Sequence, residues 1–248
     1  MIMTPNISEL QSFFNGMQFY LDVSRDLRKS WEPHVAPSFS VFDYISMDEN
    51  ILSRIIADLL DPKGPHGQGA LFLECFLRLL SEKNSNFKLP NAYLKRINDA
   101  RVKMEARTAF LVQDARRIDI RIELPPSALY QAFGIGIENK PWAIEQENQL
   151  ADYRDELQGR YPDGFILVFL CQQGRTPASI NEQDWTALCK EGRGALISFT
   201  VGFLSWLSEC RMRCQADKIR HFLADFERYV QANLGGSGID EESSDVDE

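Results

Sequence analysis

The feature that most constrains the fold is an uninterrupted apolar segment at residues 165–170, with the sequence FILVFL. A segment of this length suits a β-strand, and a strand without polar residues on either face has to be covered on both faces. Parallel strands that are connected by helices are covered in this way. The segment therefore predicts an α/β protein with a central sheet and helices on both sides.

Three earlier segments alternate between apolar and polar residues, as half-buried strands do. Their apolar positions are Val102, Met104 and Ala106, then Ile118, Ile120 and Ile122, then Ile135 and Ile137. A short strand is also expected near residues 195–199. Together these segments predict a mixed central sheet of about four or five strands.

Apolar residues at helical spacing predict helices around this sheet, on residues 7–27, 70–80, 145–159, 201–210 and 217–234. A further helix ends at Leu60, and Ser46 and Glu49 match the S-x-x-E capping box that would begin it. We expect one domain over residues 1–234, with a core at about 48–170 and helical additions on both sides. Residues 235–248 are expected to form a flexible acidic tail.

The net charge of −9 argues against a generic nucleic-acid binder, which usually has a basic surface. Six of the acids lie in residues 239–248, so the rest of the chain carries a charge of only −3. The five cysteines are odd in number and scattered, which indicates free thiols. No run of about 18 apolar residues and no secretory leader is present, so we expect a cytoplasmic protein without a membrane span.

The polar face of the predicted sheet carries a candidate catalytic site. Period-two geometry puts Glu138 and Lys140 on one face, and if the strands are neighbours, Asp119 lies opposite Glu138 at roughly 5 Å between Cα atoms. Two carboxylates at that distance repel, and a hard cation such as Mg²⁺ relieves the repulsion. Lys140 would then stabilise charge on a phosphate group. Gly134 and Gly136 are expected to leave room for the approach to this face.

The order of these residues resembles the signature of the PD-(D/E)XK nuclease superfamily, which is an acid, a spacer and then E-x-K. Here the acid is Asp119, preceded by Ile118 where the signature has Pro, and E-x-K is Glu138-Asn139-Lys140. Gln149 and Tyr153 lie four residues apart and are similar to the Q-x-x-x-Y motif of RecB-like exonucleases. The similarity covers roughly residues 48–170.

This resemblance implies a restriction endonuclease-like fold and a metal-dependent nuclease, with DNA favoured over RNA as the substrate and a role in bacterial defence or DNA processing. Mg²⁺ or Mn²⁺ would be the cofactor. The implied catalytic residues are Asp119, Glu138 and Lys140. The implied metal ligands are Asp119, Glu138 and Glu49. The implied contacts to nucleic acid are Gln149, Tyr153, Arg117 and Arg121, with Glu105 and His66 as two further candidates for the site.

Each of these residues also has an ordinary structural interpretation. The acids and bases on the strands would form surface ion pairs of little energetic weight. Glu49 would be explained by the capping box, His66 by its loop, and Tyr153 as a core aromatic residue.

Two other functions also remain open at this point. One is a catalytically inactive nuclease fold that binds nucleic acid or protein. The other is an unrelated small-molecule enzyme that uses the same carboxylates with a metal. The sequence does not determine the oligomeric state.

Overall fold

A computed structural model describes residues 7–36, 39–107, 116–126, 128, 130–142 and 144–235. The chain divides into two compact units, Met1–Ile45 and Ser46–Glu248. In the first unit, helix α1 spans Ile7–Val35 and a 3-10 turn follows at Val41–Tyr44. The predicted acidic tail lies outside the described residues, apart from Gly235. None of the described helices is long and apolar enough to cross a membrane.

The second unit contains the sheet and the helices around it. Its strands are β1 (Arg101–Arg107), β2 (Arg117–Leu124), β3 (Phe133–Lys140), β4 (Phe165–Cys171) and β5 (Gly194–Ser198). Its helices are α2 (Glu49–Leu60), α3 (Leu71–Lys83), α4 (Asn91–Leu94), α5 (Gln149–Arg160), α6 (Glu182–Lys190), α7 (Leu204–Arg213) and α8 (Asp217–Leu234). Short 3-10 turns lie at Ile97–Asp99 and Gln172–Gly174, and a π-turn at Phe199–Phe203 precedes α7.

The five strands form one mixed sheet in the order β1-β2-β3-β4-β5. The pairs β1–β2 and β2–β3 are antiparallel, whereas β3–β4 and β4–β5 are parallel. Each parallel connection contains a helix, α5 in the first and α6 in the second, because a parallel crossover needs a long connection. The predicted α/β fold with a mixed sheet of about four or five strands is thus confirmed.

Helices cover both faces of the sheet, as the apolar segment that became β4 requires. On one face α5 and α6 pack on β3, β4 and β5, with Leu157, Phe169 and Trp185 in a shared core. On the other face lie α2 and α3. Helix α7 packs on α3, and α8 packs on α7. Every residue of β4 is buried, so the prediction of a strand covered on both faces is correct.

Two glycines in β3 let α5 lie close to the sheet. A Cβ at Gly134 would collide with the ring of Tyr161, and a Cβ at Gly136 would lie 2.8 Å from Cδ1 of Leu157. The expectation that these glycines leave room for a ligand is therefore wrong, because the space is filled by α5. The close packing instead brings the first turns of α5 to the end of β3, where Glu138 and Lys140 lie.

Four helices differ clearly from the sequence prediction. Helix α1 continues to Val35 instead of ending near residue 27, and the short helix α4 was not predicted. Helix α5 begins at Gln149 rather than at residue 145, because Asn148 is left-handed with φ of 57° and the Glu145 carboxylate is bound elsewhere. That carboxylate accepts hydrogen bonds from the backbone N–H groups of Ala178 and Ser179. Helix α6 was not predicted, although the side chain of Asn181 caps its start.

Candidate active site

The pairing of β2 with β3 sets two acids side by side. Ile120 lies opposite Ile137, and the same register continued by one residue puts Asp119 opposite Glu138. The backbone N–H of Asn139 donates a hydrogen bond of 2.8 Å to Oδ2 of Asp119, which fixes that carboxylate at the end of the sheet. Glu138 is fully buried, with 0% of its surface exposed. The predicted pair of carboxylates is therefore present.

Lys140 lies between two carboxylates. Its Nζ is 2.8 Å from Oε1 of Glu138 and 2.7 Å from Oε1 of Glu49. The predicted capping box is wrong, because Asp48 is the N-cap of α2 and accepts the hydrogen bond from Ile51 N at 2.7 Å. Glu49 is thus the first residue of the helix, and its side chain is available to hold the lysine.

Asn139, the middle residue of E-x-K, connects the site to α2 on the opposite face of the sheet. It is fully buried, and its Nδ2 donates to Oγ of Ser53 at 2.8 Å and to the backbone oxygen of Glu49 at 3.4 Å. Neither Asn139 nor Ser53 was predicted to have a role. Their only sequence signal is two polar residues at positions where the strand and the helix are otherwise apolar.

Burial raises the pKa of both acids. Burial is the largest cause for Asp119, whose pKa rises to about 6 although the Asn139 N–H and the Lys140 ammonium favour its charged form. Burial and the neighbouring Asp119 carboxylate together raise the pKa of Glu138 well above its usual value. The two acids therefore resist being charged together, which is the situation that a divalent cation relieves.

The pKa of Lys140 is also raised, and for an ammonium group this favours the charged form. Burial alone would lower the pKa of Lys140, but the carboxylates of Glu138 and Glu49 outweigh it and raise the pKa above the usual value. Lys140 is therefore a permanent cation at neutral pH. It can donate hydrogen bonds and stabilise negative charge.

The start of α5 forms a second wall of the site, as predicted from Q-x-x-x-Y. Gln149 Nε2 donates to the hydroxyl of Tyr153 at 3.2 Å, and this hydroxyl donates to the backbone oxygen of Arg117 at the start of β2. Burial and the nearby Glu138 raise the pKa of Tyr153, so its hydroxyl remains protonated. The pair thus ties α5 to the strand that carries Asp119.

These elements surround an open cleft of about 480 Å³. Its lining residues are Glu49, Arg116, Arg117, Asp119, Lys140, Gln146, Gln149 and Tyr153. Arg116, which the sequence also offered as a phosphate contact, lies 2.8 Å from Asp152 in α5. The structure therefore brings most of the predicted site residues together in one cleft, with Glu138 buried beneath it.

Three predicted residues do not line the cleft. Arg121 lies deeper in β2, opposite Gly136, and is buried with 8% of its surface exposed. Glu105 is exposed in β1, with φ of 43°, and pairs with Arg117 at 2.7 Å. His66 is buried in the loop after α2, where both of its ring nitrogens are hydrogen-bonded.

The bonds of His66 explain its place in the loop. Its Nδ1 accepts from the backbone N–H of Gln68 at 3.0 Å, so Nε2 carries the proton and donates to the backbone oxygen of Asp61 at 2.9 Å. The ring also packs on Phe72, at 4.8 Å between centroids. These contacts hold the loop between α2 and α3 together, and they leave neither nitrogen for a substrate.

The donor set at the two acids suits a hard cation that keeps part of its water shell. Among the described residues, the two buried oxygens of Glu138 accept no well-formed hydrogen bond, and only Oε1 has a cation beside it, the Lys140 ammonium at 2.8 Å. Such acceptors are costly unless a cation or a proton satisfies them. In the same part of the chain no three His, Cys, Asp or Glu side chains form a metal-binding group, and Glu49 is held by Lys140. A cation at this site would therefore be held by two carboxylates, those of Asp119 and Glu138.

Comparisons with known proteins identify the family of this chain. A sequence profile of the PD-(D/E)XK nuclease superfamily matches residues 39–228, which is more than half of the chain. No curated protein matches the sequence. The structure of MspJI restriction endonuclease in complex with a 27-mer oligonucleotide is similar over 76% of this chain and 36% of that one, with 15% identity and a TM-score of 0.27. The matched region is thus little more than a third of that protein. The family assignment rests on the sequence profile alone.

Proposed function

This chain belongs to the PD-(D/E)XK nuclease superfamily, and from that membership we propose that it is a metal-dependent nuclease that hydrolyses phosphodiester bonds in DNA. The observation that supports the proposal best is the pair of acids, half-buried Asp119 and fully buried Glu138, beside the Lys140 ammonium at the floor of an open cleft. A role in bacterial defence or DNA processing in the cytoplasm is part of the proposal and depends on the family resemblance.

Asp119 and Glu138 would hold the cation, Mg²⁺ or Mn²⁺. Both are oxygen donors, and a cation that keeps several waters needs no more than two protein carboxylates and a substrate phosphate. When bound, the cation would activate water and neutralise charge that develops on the phosphate. The backbone N–H of Asn139 would keep Asp119 in place, since it already holds Oδ2 at 2.8 Å.

Lys140 would stabilise the negative charge of the phosphate group. Its ammonium is protonated at neutral pH and lines the cleft, so it can donate to a phosphate oxygen and stabilise charge in the transition state. Glu49 would hold this ammonium in place from the side of α2, at 2.7 Å. A direct contact of Glu49 with the cation, which the resemblance implies, is the alternative role for this residue.

Arg117, Gln149 and Tyr153 would contact the nucleic-acid backbone near the scissile phosphate. Arg117 is exposed at the rim of the cleft, and a guanidinium forms strong hydrogen bonds with phosphate. The nearby Glu105 pairs with Arg117 in the structure, and a phosphate group would compete for the same guanidinium. Arg116, which joins β2 to α5, would keep the two walls together.

The acidity of the chain makes the cation important for binding as well as for cleavage. The chain carries a net charge of −9, and the cleft combines three basic residues with carboxylates. A divalent cation at Asp119 and Glu138 would make the cleft positive and attract a polyanion. We therefore expect DNA to bind much more tightly with Ca²⁺, a cation that often supports binding without cleavage, than with EDTA.

A cleavage assay on plasmid and oligonucleotide DNA tests the proposal. We expect cleavage with Mg²⁺ or Mn²⁺, none with EDTA, and a loss of at least about 100-fold in Asp119→Asn and in Lys140→Met. Glu123→Gln is the matched control, because Glu123 also lies on β2 and is partly buried but pairs with Arg101 away from the cleft. Its activity should equal that of the wild type.

Other outcomes would favour the alternatives. Cleavage that persists in both Asp119→Asn and Lys140→Met would overturn the assigned centre. DNA that binds with Ca²⁺ but is never cleaved would favour the inactive nuclease fold. A protein that binds a divalent cation but no nucleic acid at low salt, where phosphate contacts are strongest, would favour the small-molecule enzyme.

A further inference from the structure

Helix α1 carries a row of large apolar side chains that are exposed. We call this row the α1 stripe. It consists of Leu10, Phe13, Phe14, Met17, Tyr20, Leu21, Leu27 and Trp31. A large exposed apolar surface on one element is unusual in a soluble protein and marks a surface that binds something.

The spacing of the α1 stripe is that of a coiled coil. Its members follow a heptad pattern, in which Leu10, Met17 and Trp31 occupy one core position, with Ser24 in the same series. Phe13, Tyr20 and Leu27 occupy the other core position, and Phe14 and Leu21 flank the row. A heptad repeat keeps its apolar residues facing one partner helix over several turns.

The rest of the α1 surface carries charged pairs, together with two exposed apolar side chains that lie outside the stripe, Phe19 and Val23. Arg25 pairs with Asp22 at 3.2 Å, and Lys29 lies 4.0 Å from Asp26, each as an exposed i,i+3 pair. Successive residues of a helix are about 100° apart, which puts these pairs on the side away from the stripe. Of the ten large apolar side chains of α1 that are described as exposed, eight thus lie in the stripe.

A helix of this length needs a partner for its apolar face. Most of the stability of helices in proteins comes from packing an amphipathic face, because propensity alone gives only marginal helices. From Leu10 to Trp31 the stripe is about 33 Å long at the rise of an α-helix. A single groove in a small domain seldom covers an apolar row of this length, whereas a second helix of equal length does.

We propose that the α1 stripe binds the α1 stripe of a second copy of this chain and forms a two-helix coiled coil. The eight side chains of the stripe are 40% to 76% exposed, which leaves at most roughly 900 Å² per copy for a partner to cover, given about 150–250 Å² for each whole aromatic residue and less for Leu and Met. Two copies would bury up to roughly 1,800 Å², within the range of about 1,200–2,000 Å² of stable interfaces. A row that is apolar along its length is complementary to itself, as a symmetric dimer requires.

A matched pair of phenylalanines tests the dimer. Phe13 belongs to the stripe and is 60% exposed, whereas Phe19 is 65% exposed and lies about 150° around the helix from the middle of the stripe. The mass of the full chain, Phe13→Glu and Phe19→Glu would be measured by light scattering and by sedimentation over a range of concentrations. Circular dichroism melts would establish that all three proteins are folded.

The wild type and Phe19→Glu are expected to have twice the chain mass of 28.4 kDa. Phe13→Glu is expected to weaken the dimer at least about 30-fold, as the loss of a central interface residue does. Leu21→Glu, a second stripe variant, should weaken the dimer in the same way. It replaces Phe13→Glu as the test variant if Phe13→Glu does not fold.

Three results would overturn the proposal. They are a wild type that is monomeric at every concentration, stripe variants that remain dimeric, and a Phe19→Glu protein that dissociates as readily as Phe13→Glu. A monomeric wild type would mean that the stripe is covered by another part of its own chain. None of these results depends on nuclease activity, so the dimer and the proposed function are tested separately.

Discussion

Glu49, the first residue of α2, and Lys140, the last residue of β3, form an ion pair with 2.7 Å between Oε1 and Nζ. They are 91 residues apart in the sequence. The pair joins a helix on one face of the sheet to a lysine that lines the cleft. It gives Glu49 a role that can be separated from direct binding of a metal.

The first prediction concerns this pair. In Glu49→Gln the lysine keeps a hydrogen-bond acceptor but loses a charge, so kcat should fall about 10-fold while the Mg²⁺ concentration for half-maximal activity stays unchanged. Lys140→Met should cost at least about 100-fold, and the double variant should be no worse than Lys140→Met alone. A Mg²⁺ midpoint that rises in Glu49→Gln would instead identify Glu49 as a metal ligand.

The second prediction concerns pH and stability. Burial raises the pKa of Asp119 to about 6, above an ordinary value of about 3.9. The stability that this carboxyl group contributes is full below about pH 4 and is lost as the pH rises through about 6. In EDTA at pH 7.5, Asp119→Asn should therefore melt a few degrees above the wild type, with the difference vanishing near pH 4.

At pH 7.5, Mg²⁺ should raise the melting temperature of the wild type above that of Asp119→Asn, because it stabilises the wild type and not the variant. Below about pH 6, protons compete for the same carboxylates, and the effect of Mg²⁺ on the wild type should decline. Glu123→Gln should respond to Mg²⁺ as the wild type does. Equal effects of Mg²⁺ on the wild type and on Asp119→Asn would argue that the cation binds elsewhere.

The third prediction concerns the packing of α5 on β3. Gly134→Ala puts a methyl group into the ring of Tyr161, and overpacking of this kind costs about 1–3 kcal/mol of unfolding free energy. Gly16→Ala in α1 is the control, because no atom lies within 4 Å of the added Cβ and alanine favours a helix. Chemical denaturation of both variants measures the difference, and equal stability would contradict the close contact.

The fourth prediction distinguishes two arginines, Arg117 and Arg121, that were both predicted to contact nucleic acid. Arg117→Ala should weaken DNA binding in Ca²⁺ and reduce the salt dependence of binding by about one phosphate contact. Arg121→Met should leave binding unchanged, since Arg121 is buried and does not line the cleft. Binding curves at several salt concentrations give both slopes. A loss of affinity in folded Arg121→Met equal to that in Arg117→Ala would contradict the assignment.

The fifth prediction concerns His66. His66→Ala removes the hydrogen bonds to Gln68 N and Asp61 O, and leaving these buried groups unpaired should cost about 1–3 kcal/mol of stability. Because His66 lies away from the cleft, kcat measured well below the melting temperature should remain within about twofold of the wild type. A catalytic role would instead appear as a large loss of kcat with little change in melting temperature.

Much of the fold could be predicted from local patterns in the sequence. The alternation of Ile118, Ile120 and Ile122 identified β2, and the apolar run at residues 165–170 identified β4, because side-chain period and burial are directly linked. The same periodicity placed Asp119 and Glu138 on one face of the sheet, because a slip by one residue would have turned every isoleucine towards the wrong face. Their position directly opposite each other was predicted only on the condition that the two strands are neighbours.

Contacts between distant segments were harder to predict. Glu49 had two predicted roles, in a capping box with Ser46 or at the metal, yet Asp48 is the N-cap and accepts from the backbone N–H of Ile51. The hydrogen bond from Asn139 to Ser53 joins residues 86 positions apart, and no local pattern encodes it. The glycines of β3 were misinterpreted for the same reason, because the partner that fills their space lies on α5.

The contacts of Gly134 with Tyr161 and of Gly136 with Leu157 set the tolerance of this region to insertions and deletions. One residue added inside α5 would rotate Tyr153 by about 100° relative to the positions that dock on β3. The turn between α5 and β4 lies beyond these docking positions and can change in length without that rotation. Among related sequences, the spacing from Gln149 to Tyr161 should therefore be constant, while the length of the segment that follows Tyr161 is free to vary.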